Sequence, residues 1–448
     1  MPVNRSHRRQ PVLVVLALAF VALLCVELWV FFGNHPNVQQ QQEQEQEQEQ
    51  TVGRKDMLDE RLFVQMEGLN PNIPVMYKPG RYNRLMNAKP ESTQIPGREK
   101  QIQAEMQAFI DKITNATAPR FGHERGTTGI VTSCNLDRLC LMHLHMLMHT
   151  LNGTVPVELW LERGADAPAR VAFVEATYAP HVRVRFFDET DAAYAEYFGP
   201  LRPLYRCFFH RKLQALVSSA FERVFWVDRD VLLLRDPRVV LADAAVQRTG
   251  TMLWRDMSGI LRDNAIWRVM GRAPVVGEGG ESGVVYIDKA RAWRGLYLAA
   301  FMNQAQSTYY RMVFGDKDTF FLAYDRLGAA RYLAPFMPIP LGPDAGGRAF
   351  VHATPDGRML FVHLVGGGKK ALFEALERGH DAFTTVQLFD PNRAHVSSCK
   401  DGVLCIARDA AFTNVRWLRA RDVLGDFVTA VADAYHQAAR EDIALPSE

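Results

Sequence analysis

Residues 11–32 form an apolar run of 22 residues whose one charge is Glu27, near its far end. A helix needs about 20 such residues to cross the hydrocarbon core of a bilayer. This stretch therefore cannot be folded into an ordinary soluble core with the rest. A cleavable signal would carry a shorter apolar region, about 7–15 residues, ending in small side chains. This run ends in Leu28-Trp29-Val30-Phe31-Phe32. The pattern predicts an uncleaved membrane anchor over 11–32. Arg5, His7, Arg8 and Arg9 lie before it and no basic residue lies close after it. That bias puts residues 1–10 in the cytosol and the remaining chain in the lumen or outside.

Residues 39–50 read QQQQEQEQEQEQ and offer nothing apolar to bury. They are expected to be disordered, at the start of a stem spanning 33–120. A helix is expected near 98–114, and the folded domain over 121–448. The formal net charge of the 448-residue chain is only +2. No basic excess offers to neutralise phosphates, so a nucleic-acid partner is not expected. Sequons at Asn115 and Asn152 fit a luminal domain. Of six cysteines, Cys25 lies in the anchor. Cys134/Cys140 and Cys399/Cys405 are each six apart and could close small loops in an oxidising compartment. Cys207 is then left over, and other pairings stay open. No Cys-x-x-Cys suggests a zinc ribbon.

From Gly122 onward short apolar strands alternate with helical patterns. Strands are expected at 129–134, 155–161, 182–188 and 224–228, and helices at 137–151, 168–178 and 211–221. This alternation implies an α/β fold, a mixed but mostly parallel sheet flanked by helices. Ligands bind at the carboxyl ends of strands in such sheets. Asp228-Arg229-Asp230 stands at one of those ends. Residues two apart in extended chain point the same way, so the carboxylates share a side and Arg229 faces the other. Two carboxylates that close repel unless a cation lies between them. Hard oxygen ligands suit Mg²⁺ or Mn²⁺. A solvated strand end is the bland alternative.

Three further stretches invite chemistry. Gly279, Gly280 and Gly283 surround Glu281 and Ser282, where the glycines could admit a ligand or merely form a turn before a strand. Asp316 and Asp318 precede an apolar run, and by itself Asp316 reads first as a helix cap. In His363-Leu364-Val365-Gly366-Gly367-Gly368-Lys369, the histidine could ligate a metal and the lysine could reach a phosphate. His143, His145 and His149 sit among Leu and Met and read as a core helix, not a zinc site. No Gly-x-Ser-x-Gly occurs.

Taken in order, these stretches resemble the fungal-type Golgi α-mannosyltransferases that build α-1,2- and α-1,3-linked mannose branches. The resemblance spans roughly 122–370 and rests on GIVTSC, LNGTVPVELW, RKLQALVSSAFERVFWVDRDVLLLRDP, MLWRD, ESGVVYIDK and GDKDTFFLAY. His363, Gly366 and Lys369 are also similar to the closing His-x-x-Gly-x-x-Lys of retaining glycosyltransferases of the glycogenin type. The resemblance implies a GT-A nucleotide-sugar fold in a type II Golgi membrane protein. It implies Mn²⁺ held by Asp228, Asp230 and His363, with Lys369 on the leaving diphosphate. Asp316 and Glu281 would lie near the reacting carbon. Lys212, Ser282, Gly283, Lys317, Gly366, Asp228 and Asp316 would contact the donor. The implied reaction moves α-mannose from GDP-mannose to a glycan acceptor with retention. UDP-galactose or UDP-glucose as donor, or a silent glycan-binding scaffold on the same fold, are the alternatives. Arg229 departs from the family pattern, where a small residue is more usual, so its side chain must point away or meet phosphate.

Overall fold

A computed structural model describes residues 97–117, 124–200, 209–256, 259–260, 262–274, 279–336, 338–341, 349–365, 368–379, 424 and 426–444, together with strand segments 63–64, 76–77, 385–389 and 415–419. The expected tail, anchor and Gln/Glu tract lie outside these residues, as do Cys25, Cys207, Gly366, Cys399 and Cys405. Among the described residues no helix is long and apolar enough to cross a membrane.

The chain begins its described part with α1 (Glu99–Asn115) and β1 (Glu124–Ser133). Then come α2 (Arg138–Leu151), β2 (Val157–Leu161), α3 (Pro168–Tyr178), β3 (Val182–Phe186) and α4 (Asp188–Phe198). Next are α5 (Phe209–Ser218), β4 (Phe221–Val227), β5 (Val231–Leu233), β6 (Thr251–Arg255) and β7 (Gly280–Asp288). The second half holds α6 (Lys289–Gln304), α7 (Lys317–Arg326), β8 (Ile339–Leu341), β9 (Ala349–Ala353) and β10 (Met359–Leu364). It closes with α8 (Gly368–Glu377), β11 (Thr385–Phe389), β12 (Val415–Arg419) and α9 (Phe427–Ala444).

Two six-stranded sheets result. One has the order β3-β2-β1-β4-β7-β6, and the other β12-β11-β8-β9-β10-β5. In the first, β1, β2, β3 and β4 run parallel, and β7 is antiparallel to both β4 and β6. The second is antiparallel throughout. The first sheet is thus the mixed, mostly parallel one expected from the βα alternation.

Period-two patterning explains how it is covered. Ile130, Phe225 and Val227 face one core with α2 and α9, while Val131, Val224 and Trp226 face the other with α5, α6 and α7. A sheet buried on both faces needs apolar residues at every position, as in Val224-Phe225-Trp226-Val227. Helix α1 buries Ile102, Met106, Phe109, Ile110 and Ile113, and packs on α6. The folded part therefore takes in this helix, which the expected 33–120 stem had included. Its four-residue apolar spacing supplies the docking face.

Of the three histidines of helix α2 one lies in the core, His145 is half-buried and His149 is exposed. His143 is fully buried, with Nε2 3.2 Å from Thr132 Oγ1 and Nδ1 3.1 Å from the Val231 carbonyl. Burial holds its pKa down at about 4, so the ring is neutral at neutral pH. His145 pairs with Glu441 on α9 at 2.7 Å. Asn115 and Asn152 are both exposed, at the ends of α1 and α2.

Candidate active site

The triplet 228–230 lies where the chain leaves one sheet for the other. β4 ends at Val227, paired with Val284 of β7. β5 starts at Val231, paired with His363 of β10. Between them the backbone is fastened on both sides. Asp228 N donates to the Gly283 carbonyl at 2.8 Å, and Leu364 N donates to the Asp230 carbonyl at 2.9 Å. Register alone therefore brings the Asp228 and Asp230 carboxylates to His363. One ligand atom from each of the three lies within 4.8 Å of the others. This is the group of such residues close enough to hold a metal ion among the described residues.

Arg229 projects the other way, as its odd position requires, and meets Asp137 at 2.9 Å. Asp137 also caps α2 by accepting from Cys140 N at 2.9 Å. Cys134 and Cys140 form a disulfide around that cap. The unusual Arg229 is thus held by the loop following β1 and does not intrude on the carboxylates.

Four cations and anions surround the triplet. Lys212, on α5, is 5% exposed and spends its three donors inside the protein. It donates to Asp228 Oδ2 at 2.9 Å and to the Ser282 carbonyl at 2.9 Å, and lies 2.8 Å from Asp316 Oδ2. Burial opposes its charge, but the Asp228 and Asp316 carboxylates outweigh it and raise its pKa. Trp226 Nε1 donates to Asp228 Oδ1 at 2.7 Å. Burial pushes the Asp228 carboxyl up to about 6, against the pull of Lys212 and with the repulsion of Asp230 and Asp316. Burial would raise Asp230 as well, but His363 and Lys369 overcome it and lower its pKa. Lys369, in the first turn of α8, lies 2.5 Å from Asp230 Oδ2.

His363 is fixed from behind. Its Nδ1 is 2.9 Å from Glu281 Oε1, and Nε2 is 3.5 Å from Asp230 Oδ1. Burial disfavours its charge, yet the Glu281 and Asp230 carboxylates raise its pKa well above the ordinary value. Glu281 is 7% exposed and also accepts from Gly283 N at 2.5 Å. Glu281 thus backs the histidine, where the sequence reading had set it beside a reacting carbon. A carboxylate behind a ligating histidine fixes the ring and its tautomer.

From Gly280 onward the glycine-rich stretch is strand, not loop. Gly280, Glu281, Ser282 and Gly283 lie inside β7. A Cβ on Gly283 would sit 2.9 Å from Glu281 Oε1, from His363 Nδ1 and from Val231 Cγ2. A Cβ on Gly280 would collide with the Lys317 carbonyl. These glycines admit the histidine and the start of α7, not a mobile turn. The helix-cap expectation for Asp316 also fails: it stands at the N-cap position but makes no capping hydrogen bond. Its side chain turns to Lys212. Asp318 instead accepts from Gly280 N at 2.9 Å, and Lys317 lies 3.0 Å from Asp256. Asp256 and Trp226 were not singled out from sequence. Asp256 ends the MLWRD stretch, and the indole of Trp226 lies two residues before Asp228 on the same side of β4.

Comparisons with known proteins give partial matches. Residues 127–267 and 275–336 match the sequence model of a family described as "Mannosyltransferase putative". That range holds the triplet, Glu281, Ser282, Gly283 and Asp316. The match agrees with the resemblance read from the sequence. No curated protein matches the chain. Solved structures with partial similarity include the apo bifunctional glycosyltransferase WbbM, 12% identical over 49% of this chain, with a TM-score of 0.33. The match spans 40% of that longer chain. The galactosyltransferase LgtC, solved with donor and acceptor sugar analogues, is 16% identical over 46% of this chain and 73% of its own, with a TM-score of 0.32. Mouse xyloside xylosyltransferase 1 is 13% identical over 46% of this chain and 84% of its own, with a TM-score of 0.32.

Proposed function

We propose that this chain, matched to a mannosyltransferase family over residues 127–267 and 275–336, is a metal-dependent retaining glycosyltransferase on a GT-A fold. It transfers α-mannose from GDP-mannose to a glycan acceptor. The observation that carries this reading is the convergence of Asp228, Asp230 and His363 at the junction of two sheets, inside and beside the matched range. The apolar run at 11–32 supports a type II membrane protein with its catalytic domain in the Golgi lumen.

The residues fit a divalent cation. Two carboxylates and an imidazole offer hard oxygen and borderline nitrogen donors, the set that suits Mn²⁺. Glu281 stands behind His363 as a ligand's orienting partner does. Bound there, the ion would neutralise charge that develops on a departing diphosphate. The remaining work falls to side chains. Lys369, in the first turn of α8, is within reach of the same oxygens and adds a second positive charge. Asp316, oriented by Lys212, presents its carboxylate to the donor sugar and favours positive charge at the anomeric carbon. Lys212 holds Asp228, Ser282 and Asp316 in one frame. The leaving phosphate takes the acceptor's proton.

The test is transfer from GDP-mannose to methyl α-mannoside by the full chain in detergent, with Mn²⁺ or with chelator. Proton NMR reads the new anomeric centre. An α product formed only with the metal supports the reading. A β product would overturn retention, and transfer from UDP-hexoses alone would overturn the mannose donor.

A further inference from the structure

A chain of polar groups links α6 to α7 inside the protein. Asn303 lies in the last turn of α6 and Thr319 in the first turn of α7, and both are fully buried. Their sequence neighbours Met302 and Phe320 belong to one apolar core. Asn303 Nδ2 donates to Thr319 Oγ1 at 2.7 Å and to the Ala299 carbonyl at 2.8 Å. Its Oδ1 accepts from the hydroxyl of Tyr310, which is also buried. The Ala299 carbonyl fixes the amide this way round, since a flipped amide would set oxygen against oxygen. Thr319 Oγ1 passes its own hydrogen to the Asp316 carbonyl at 2.6 Å, and Thr319 N donates to the same oxygen at 2.9 Å. The hydrogens therefore all point one way, from Tyr310 to the backbone of Asp316.

We infer that Thr319 is a positioning residue for transfer: its hydroxyl, backed by Asn303 and Tyr310, sets the direction in which Asp316 presents its carboxylate. This inference rests on the transferase reading and deepens it. Asp316 stands at a corner of the chain. Gly315, just before it, has a positive φ of 69°, and glycine is the residue that restrains its neighbours least. The corner is therefore held from the helix side. Asp316 makes no capping bond there, and its carboxylate goes to Lys212 at 2.8 Å. Lys317 leaves the same corner towards Asp256, 3.0 Å away. Rotating the peptide between Asp316 and Lys317 would swing both side chains, and both bonds from Thr319 end on the oxygen of that peptide. Packing alone does not call for such a chain. Two helices join as firmly through apolar groups of the same shape, with nothing polar to desolvate. A satisfied polar network adds one fixed arrangement of its members, and here the member that reaches the site is Asp316.

The experiment uses the full chain in detergent with Mn²⁺ and methyl α-mannoside. GDP-mannose and UDP-galactose are offered as donors, and released nucleotide is read, whether from transfer or from hydrolysis. Thr319→Val keeps the shape of the side chain and removes the hydroxyl. It should lower kcat by about 10–100-fold, up to the effect of an ångström-scale misplacement. The Mn²⁺-dependent affinity for free nucleotide, which lacks the sugar, should stay at its wild-type value. Thr319→Ser restores the hydroxyl and should recover most of kcat. Leu322→Val, one turn further along α7, is the packing control and should lower Tm without lowering kcat. A folded Thr319→Val with wild-type kcat overturns the inference. So does a loss of kcat that Thr319→Ser fails to recover, that Leu322→Val shares in proportion to its fall in Tm, or that comes with an equal loss of nucleotide affinity. If Thr319→Val does not fold, Tyr310→Phe takes its place. A smaller loss of kcat at unchanged nucleotide affinity is then expected, and an unchanged kcat overturns the inference. A wild type that turns over neither donor removes the transferase reading itself, and the role of Thr319 with it.

Discussion

Gly283→Ala is the smallest change that should dismantle the site. The added methyl would lie 2.9 Å from three atoms on three elements: Glu281 Oε1 on β7, His363 Nδ1 on β10 and Val231 Cγ2 on β5. Ordinary contact distances for carbon begin near 3.5 Å. Each neighbour must therefore retreat by roughly half an ångström. Gly283 N is bonded to Glu281, the Gly283 carbonyl to Asp228 N, and Val231 pairs with His363 in the second sheet. Overpacking of this kind costs about 1–3 kcal/mol. The value belongs near the middle, about 2 kcal/mol, since the Glu281 carboxylate can turn aside while Val231 and His363 are held in paired strands. At about 2–4 °C per kcal/mol for a domain of 150–250 residues, Tm should fall by about 4–8 °C. The stronger effect is on metal. Displacing His363 from Glu281 disturbs a ligand's orienting contact, worth about 10–100-fold in affinity. Calorimetric titration with Mn²⁺ and a thermal melt read both. A variant with wild-type Tm and wild-type Mn²⁺ affinity would refute the geometry assigned to His363.

Other outcomes follow from the same structure. Lys212→Met leaves Asp228 and Asp316 facing each other without their shared cation, and should destabilise the fold by about 3–5 kcal/mol in urea titration; Lys212→Arg should recover little, since its fork is too wide for the three acceptors. His143 takes a proton in the folded state only near pH 4, against about 6.5 when unfolded. The unfolded chain binds the extra proton between those values, so stability falls as pH drops through that window, by up to about 3 kcal/mol. His143→Gln should flatten that part of the urea midpoint against pH. Cys134→Ser together with Cys140→Ser opens a short loop and should cost about 2 kcal/mol. Nucleotide affinity should weaken with it, as Asp137 loses its hold on Arg229.

Much of this was legible in residue order, and the misses have physical causes. The parallel strands and α2, α3 and α5 follow from apolar period and length. The orientation of the triplet follows from the two-residue repeat of a strand. What the period could not reveal is which sheet each segment joins. Glycines at 280 and 283 weaken the strand signal, so the strand reads as starting at Val284, with a turn before it, until its partners are in place. They are glycines because a histidine and a helix start press against that strand from outside the local sequence. Asp316 looks like a cap because Asp before an apolar helix usually is one. Lys212, about a hundred residues earlier, outcompetes the helix amides for its carboxylate. The contact of Glu281 with His363 was hidden for the same reason: the histidine arrives from the second sheet, through pairing with β5.

The function of the site turns on whether Asp228, Asp230 and His363 bind nucleotide through a divalent ion. The most direct measurement is calorimetric titration of GDP into the full chain, with Mn²⁺ and with chelator, in wild type and Asp230→Ala. The account predicts binding by the wild type with Mn²⁺ alone, and none by Asp230→Ala under either condition. GDP binding that survives chelation, or that persists unchanged in Asp230→Ala, would contradict it.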